Sequence, residues 1–208
     1  MKKLLFFLLL PLMLFGVSTE NILALTWLNG FCKVNPKKRV CLYKKPSDYA
    51  SKHFTLHGLW PKKKNYCSTK PMNLSKEFFK ILEKYMPAAK FGLAKHEWRK
   101  HGTCFGTDAK TYFLTSIKLT EQFNESLVAK YFKEHMGEKL SLQKLRLLFS
   151  KAFGRKNTRK FQLICKKGYI VEIRINLKGD PTKEDLDTLI NKANDMRRKQ
   201  CQVGIIAK

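Results

Sequence analysis

The sequence predicts an α+β domain, and three observations carry that reading. Short β-branched and aromatic runs mix with segments of helical period, without the strict alternation that a parallel sheet requires. No repeat, low-complexity tract or Pro/Gly/Ser-rich linker divides the 208 residues, a length suited to one sizeable core. The six cysteines are an even number, as a disulfide-bonded framework needs.

At the N-terminus, Lys2 and Lys3 precede an apolar run of 14 residues, Leu4 to Val17, interrupted by Pro11. A bilayer span takes roughly 20 apolar residues, so residues 1–18 read as a signal peptide cut near Ser18, with small residues at Gly16 and Ser18. A retained membrane anchor is the alternative, and no later segment is long and apolar enough to span. Residues 19–208 then form a single domain. "NILALTWL" (Asn21 to Leu28) and "FTLHGLW" (Phe54 to Trp60) read as strands, and "FQLIC" with "YIVEIRINL" around Lys166, Lys167 and Gly168 as a hairpin. Helical spacing marks Ser75 to Met86 and Ser141 to Phe153, each opened by a serine suited to N-capping. One or two more helices are expected within Thr111 to His135. Asp180 and Pro181 read as N-cap and first residue of a segment reaching about Arg198.

Export makes the cysteines legible as disulfides. Among fifteen possible connectivities, Cys32 with Cys41, Cys67 with Cys104 and Cys165 with Cys201 is preferred, because it closes modest, non-overlapping loops. The chain has no Cys-x-x-Cys pair, which argues against a structural zinc or thioredoxin-like centre.

A formal net charge of +26 exceeds what solubility needs and points to a polyanionic partner: nucleic acid, acidic polysaccharide or anionic membrane. Eleven Lys or Arg lie between Lys139 and Arg174 against a single acid, Glu172. Such a stripe would follow a phosphate backbone without reading sequence.

Two stretches carry chemistry. "AKHEWRKHGTCFG" nearly spells a helical zinc motif, but His96 and His101 stand five apart. On a helix that places the imidazoles about 140° apart around the axis, too far to grip one metal. Two neighbouring stripes result instead, His96 with Lys100 and Glu97 with His101, an arc suited to a phosphate. "HFTLHGLWP" puts His57 at a strand end before Gly58, where the backbone is free to turn, with Trp60 beside it. Two imidazoles and a cation suit phosphodiester cleavage through a neighbouring hydroxyl, one ring removing the 2′-hydroxyl proton and the other protonating the departing oxygen. Lys100 would steady the extra charge of the transition state. DNA lacks that hydroxyl, so such a site cuts RNA.

"HGLWP" (His57 to Pro61) and "HEWRKHGTC" (His96 to Cys104) together resemble the two catalytic segments of the ribonuclease T2 family. "LALTWLNGFC" (Leu23 to Cys32) is similar to the opening strand of bacterial members. The resemblance implies an α+β fold with a central, mainly antiparallel sheet flanked by helices. It implies a metal-independent endoribonuclease that cleaves single-stranded RNA through a 2′,3′-cyclic phosphate, with no cofactor and no metal. His57 would be the proton donor and His101 the acceptor, Glu97 and Lys100 would stabilise the transition state, and His96 would hold the phosphate. It also implies the Cys67 to Cys104 bridge, base stacking by Trp60 and, less strongly, by Tyr66. RNA bound through its backbone phosphates is the expected partner of a monomeric enzyme. The expected compartment is the periplasm or exterior of a bacterium, or a vacuole or lysosome in a eukaryote.

Some members carry an acid shortly after the Leu-Trp-Pro that helps choose the base. Here Lys62, Lys63 and Lys64 stand instead, which predicts weak base selectivity and strong salt dependence. His53 and His135 read as surface or structural. The competing functional reading is a non-catalytic, polyanion-binding or membrane-active basic secreted protein.

Overall fold

The computed structural model describes residues 16–208, so the expected signal peptide lies outside the described residues except for its last three positions. The strands are β1 (Glu20–Thr26), β2 (Thr55–Pro61), β3 (Lys139–Ser141), β4 (Phe161–Lys166), β5 (Tyr169–Lys178) and β6 (Val203–Ile205). The helices are α1 (Leu28–Val34), α2 (Arg39–Leu42), α3 (Lys76–Tyr85), α4 (Leu93–Lys100), α5 (Ala109–Glu125), α6 (Leu127–Glu134), α7 (Leu142–Phe153) and α8 (Leu186–Lys192). The strands join in the order β2-β1-β5-β6-β3, with β4 also paired to β5. Pairing is antiparallel except where Tyr169 of β5 meets Ile205 of β6. The α+β expectation, with a mainly antiparallel sheet and flanking helices, holds.

The register divides the sheet into two chemically different faces, because residues directly opposite in an antiparallel pair point the same way. Leu23, Leu25, Leu59, Ile173, Ile175 and Leu177 belong to one buried cluster with Phe113, Phe123, Phe149 and Leu189 of the helices. On the other face, Trp60 stands beside Ile22 and Asn176, Gly58 beside Ala24 and Arg174, and Thr26 beside Glu172. That polar face holds the titratable groups of the site.

Capping explains the helix starts. The side chains of Ser75, Asp108 and Ser141 accept from the backbone N–H groups of Phe78 (3.1 Å), Thr111 (3.0 Å) and Lys144 (3.1 Å), satisfying donors a helix cannot pair itself. Ser126 caps α6 and divides Thr111–His135 into the ends of two helices. Lys167 and Gly168 turn the β4-β5 hairpin at φ 48° and 80°, the paired positive values of a tight two-residue turn.

Two segments depart from expectation. The first strand stops at Thr26, and Leu28 opens α1; a Cβ at Gly30 would fall on the carbonyl oxygen of Ile170, so the helix lies flush against β5. Asp180 and Pro181 do not start a helix. The Asp180 carboxylate accepts from the Thr182 amide (3.0 Å) and hydroxyl (2.6 Å), which stabilises a local turn instead. Helix α8 begins only after Asp185 and ends at Lys192, because Ala193 is extended at φ −72°, ψ 158°.

The three bridges are Cys32–Cys41, Cys67–Cys104 and Cys165–Cys201, the sequential pairing that loop length favours. They tie α1 to α2, the chain after β2 to the chain after α4, and β4 to the C-terminal segment.

Candidate active site

His57 owes its position to an irregularity in β2. Ala24 pairs with Gly58 and Leu25 with Leu56, leaving His57 without an opposite residue. This is a β-bulge, which re-aims a side chain and is common beside active sites. The expected sharp turn after His57 is therefore absent; the strand runs on, and the extra residue delivers the imidazole. Gly58 is needed for a different reason than backbone freedom. A Cβ there would strike Glu97 Oε2 and Trp60 Nε1, so its bare backbone lets α4 approach the sheet.

Helix α4 supplies the facing residues. Its buried side carries Ala94, Glu97 and Trp98, while His101 closes it as the C-cap residue at φ −119°, ψ −46° and is 8% exposed. Trp98 Nε1 donates to the Lys70 carbonyl (2.8 Å) and the Tyr66 amide to the Lys100 carbonyl (2.8 Å). Together with the Cys67–Cys104 bridge these bonds fix the end of α4.

Trp60 stands between the two imidazoles. Its ring centroid lies 5.1 Å from that of His57, edge to face, and 5.3 Å from that of His101, nearly parallel. The indole N–H donates to Glu97 Oε2 (2.7 Å), and the Arg174 guanidinium lies over the ring at 4.8 Å. Arg174 in turn donates to Glu172 Oε1 (2.5 Å), and Glu172 Oε2 accepts from His57 Nδ1 (2.6 Å). Glu97 Oε1 is 3.8 Å from His57 Nε2. His57 thus lies between two carboxylates, whereas His101 Nδ1 is buried without a hydrogen-bond partner.

These surroundings push the two rings in opposite directions. At His57, burial opposes the charged form, but the Glu172 hydrogen bond and the charges of Glu172 and Glu97 outweigh it and raise the pKa above 6.5. At His101, burial and then the charges of Lys100, His96 and His57 lower it to about 4. Burial also raises the carboxyl of Glu97. In Glu172 burial acts the same way, but the hydrogen bond and charge of His57, with Arg174, prevail and hold it low. His96 is lowered by burial and by Lys100.

The motif residues therefore meet as one group: His57, Trp60, Glu97 and His101 in contact, with Lys100 and His96 within electrostatic reach of His101. Tyr66 stands apart, 59% exposed, on a depression shared with Lys70, Lys95, Trp98 and Arg99. His53 and His135 have structural surroundings, stacked on Tyr49 and Tyr131 and bonded to their backbone carbonyls. Sequence reasoning missed Glu172 and Arg174. The available signal was that Glu172 is the single acid of a strongly basic stretch.

Two depressions flank the histidines. One, of about 390 Å³, is lined by Trp60, Lys62, Lys63, His101 and Asn176; the other, of about 160 Å³, is more apolar and runs from Phe31 and Leu56 past His57 to Leu93.

The fold, with the comparisons of its sequence, defines an α+β endoribonuclease. The chain belongs to the Ribonuclease T2 family, whose model matches residues 19–192. It is similar to Ribonuclease I of Escherichia coli (strain K12), 27% identical over 207 aligned positions that cover 80% of this chain and 77% of that protein. Ribonuclease T2 of Homo sapiens is 36% identical over 93 positions, 38% of this chain and 35% of that one. Among solved structures, the self-incompatibility associated SF11-RNase of Nicotiana alata superposes with a TM-score of 0.63 at 20% identity, covering 92% of this chain and all of that one (100%). RNase NT in complex with 5′-AMP gives 0.64 at 17% identity over 92% of this chain and 99% of that one. At such identities the superpositions speak for the fold.

Proposed function

We propose that the protein cleaves single-stranded RNA by acid–base catalysis between His57 and His101, through a 2′,3′-cyclic phosphate and without a metal ion. The observation that carries this reading is the placement of two imidazoles about one tryptophan, at 5.1 and 5.3 Å, with only His57 flanked by carboxylates, so that their pKa values are displaced in opposite directions. Groups whose surroundings push their pKa values apart take opposite proton-transfer roles. His101, neutral above about pH 4, accepts the ribose 2′-hydroxyl proton through Nε2, since Nδ1 is buried. The 2′-oxygen attacks phosphorus. His57, kept protonated by Glu172, delivers its proton to the leaving 5′-oxygen. In the second step the roles reverse, and water opens the cyclic ester.

Lys100 lies at the end of α4, where its ammonium offsets the added negative charge of the pentacovalent transition state. Glu97 holds the Trp60 indole and faces His57 Nε2, which makes it the residue that sets the distance between the rings. His96, on the outer side of α4, supports a phosphate oxygen. The two depressions give the nucleosides on either side of the scissile phosphate a place, Trp60 offering its indole to one of them.

The test is digestion of RNA in the presence of a chelator by native protein, His57→Ala and His101→Ala. Native protein should yield cyclic phosphate ends, and each variant should lose about 10²- to 10⁴-fold in rate. Cleavage abolished by the chelator would overturn the two-histidine mechanism. Full activity in either variant would do the same.

We also propose that residues 1–18 are removed on export, leaving 19–208 as one catalytic domain. The three closed bridges support an oxidising compartment. N-terminal sequencing of the mature protein should begin near Ser18 or Thr19; a retained Met1 would refute cleavage.

A further inference from the structure

Beside the catalytic groove lies a second one, of about 460 Å³. The two share the walls Met196, Arg197 and Arg198, so the surface is continuous from His101 outward. Arg146, Arg159 and Lys199 extend it, over a floor that includes the buried ring of Phe161. Five cations thus face one carboxylate, Asp195. None of the five takes part in an ion pair among the described residues. The positive field reaches back to the catalytic side: after burial, and against the pull of Glu20, repulsion from Arg198 helps lower the Lys62 ammonium.

The segment bearing these cations is held rather than loose. The Met196 amide donates to the Arg159 carbonyl (2.7 Å), Gln162 to the Lys199 carbonyl (2.9 Å), and the Cys201 amide to the Leu163 carbonyl (3.0 Å). Gln200 bonds both Leu163 N (2.8 Å) and Phe161 O (3.0 Å), and Cys201 is bridged to Cys165. A backbone already fixed spares the cost of ordering this segment when a ligand arrives. On the catalytic side of that shared wall, the amide of Asn176 donates to the Asn194 carbonyl (2.9 Å), which ties the same segment to β5.

We propose that this arginine-lined groove is an RNA-backbone subsite that seats phosphates beyond the nucleotides flanking the scissile bond. It rests on the ribonuclease reading of the His57–His101 site. The C-terminal segment then acts as a clamp for long strands, fastened to the sheet by the third disulfide.

The experiment compares a dinucleoside monophosphate with a single-stranded RNA of about twenty nucleotides, across salt. Arg146→Gln/Arg159→Gln/Lys199→Gln should leave kcat/KM for the dinucleotide within about twofold. For the long RNA it should lower kcat/KM about tenfold at low salt and flatten the plot of log kcat/KM against log salt by about 2, some 0.7 for each lost single-strand phosphate contact. Lys110→Gln/Lys130→Gln/Lys133→Gln removes the same charge from exposed helix positions outside the groove and should do neither. Lys199→Glu alone, at an exposed position, should move the long substrate in the same direction if the triple variant folds poorly. Equal losses on both substrates, an unchanged long substrate, or an equal loss in the control would overturn the groove. Should native protein cleave neither substrate, the ribonuclease reading falls. The groove is then judged by fluorescence anisotropy of the long RNA with native and triple-variant protein, where equal affinities overturn it.

Discussion

At the scale of single residues, the decisive contact is the one between His57 and Glu172. The carboxylate binds Nδ1, fixes the ring's orientation and leaves Nε2 free for the proton donation proposed above. It also keeps the cation in place at pH values where an ordinary histidine has begun to lose its proton. Glu172→Gln removes that charge and leaves Arg174 unneutralised beside the ring, so the pKa of His57 must fall. The proton donor is then lost earlier as pH rises: the alkaline limb of kcat/KM moves to lower pH, and neutral-pH activity falls by about tenfold to a hundredfold. The acid limb, set by His101 at about 4, should stay. A pH-rate profile of the two proteins decides, and an alkaline limb that does not move would show Glu172 to be irrelevant to the acid. His96, Glu97, Lys100 and His101 were legible because one helix prints them together. Glu172 lies 115 positions from His57, and its meeting with the ring depends on the β2-β1-β5 register, which no local pattern displays.

At the scale of elements, the bulge in β2 and the bare backbone of Gly58 act as one device. The bulge turns His57 towards the polar face, and the missing side chain at the next position admits Glu97 and Trp60. Gly58→Ala should therefore displace α4 from the strand. A misplacement of about 1 Å at the reacting groups costs on the order of 10²-fold in rate, so kcat/KM should fall by about that factor while circular dichroism shows the fold retained. Undiminished activity would mean that α4 yields without consequence. The serine-capped helices and the hairpin were readable from local rules. The three-residue strands β3 and β6 are too short to show a period, and they form only because the chain end returns to the sheet. Asp180-Pro181 misled because an Asp that caps a helix also stabilises a turn. The neighbouring residues choose between the two, and here Gly179 at φ 125° and the Thr182 bonds favour the turn. The bulge left no trace in the letters.

At the scale of the whole molecule, the charge of +26 was legible at once, but its layout was not. The basic stretch from Lys139 to Arg174 is no continuous stripe: Lys160 is buried and donates to the Asn191 carbonyl (3.0 Å), and Arg174 is engaged by Glu172 and Trp60. Arg146 and Arg159 are instead grouped by folding with Arg197 and Arg198, which are distant in sequence. The groove beside His101 is walled by Lys62 and Lys63, cations suited to phosphate that have no means to read a base edge by accepting hydrogen bonds. Affinity dominated by phosphate contacts is independent of base identity and falls steeply with salt. The four RNA homopolymers should accordingly be cleaved with kcat/KM values within about tenfold of one another, each falling linearly in log-log form with salt. Lys62→Asp should weaken cleavage of all four and spread them apart, because a carboxylate repels the backbone while accepting from base amines. A large purine or pyrimidine preference in the native protein, insensitive to salt, would show that the pocket beside Trp60 selects by base contacts and that the lysines are incidental to binding.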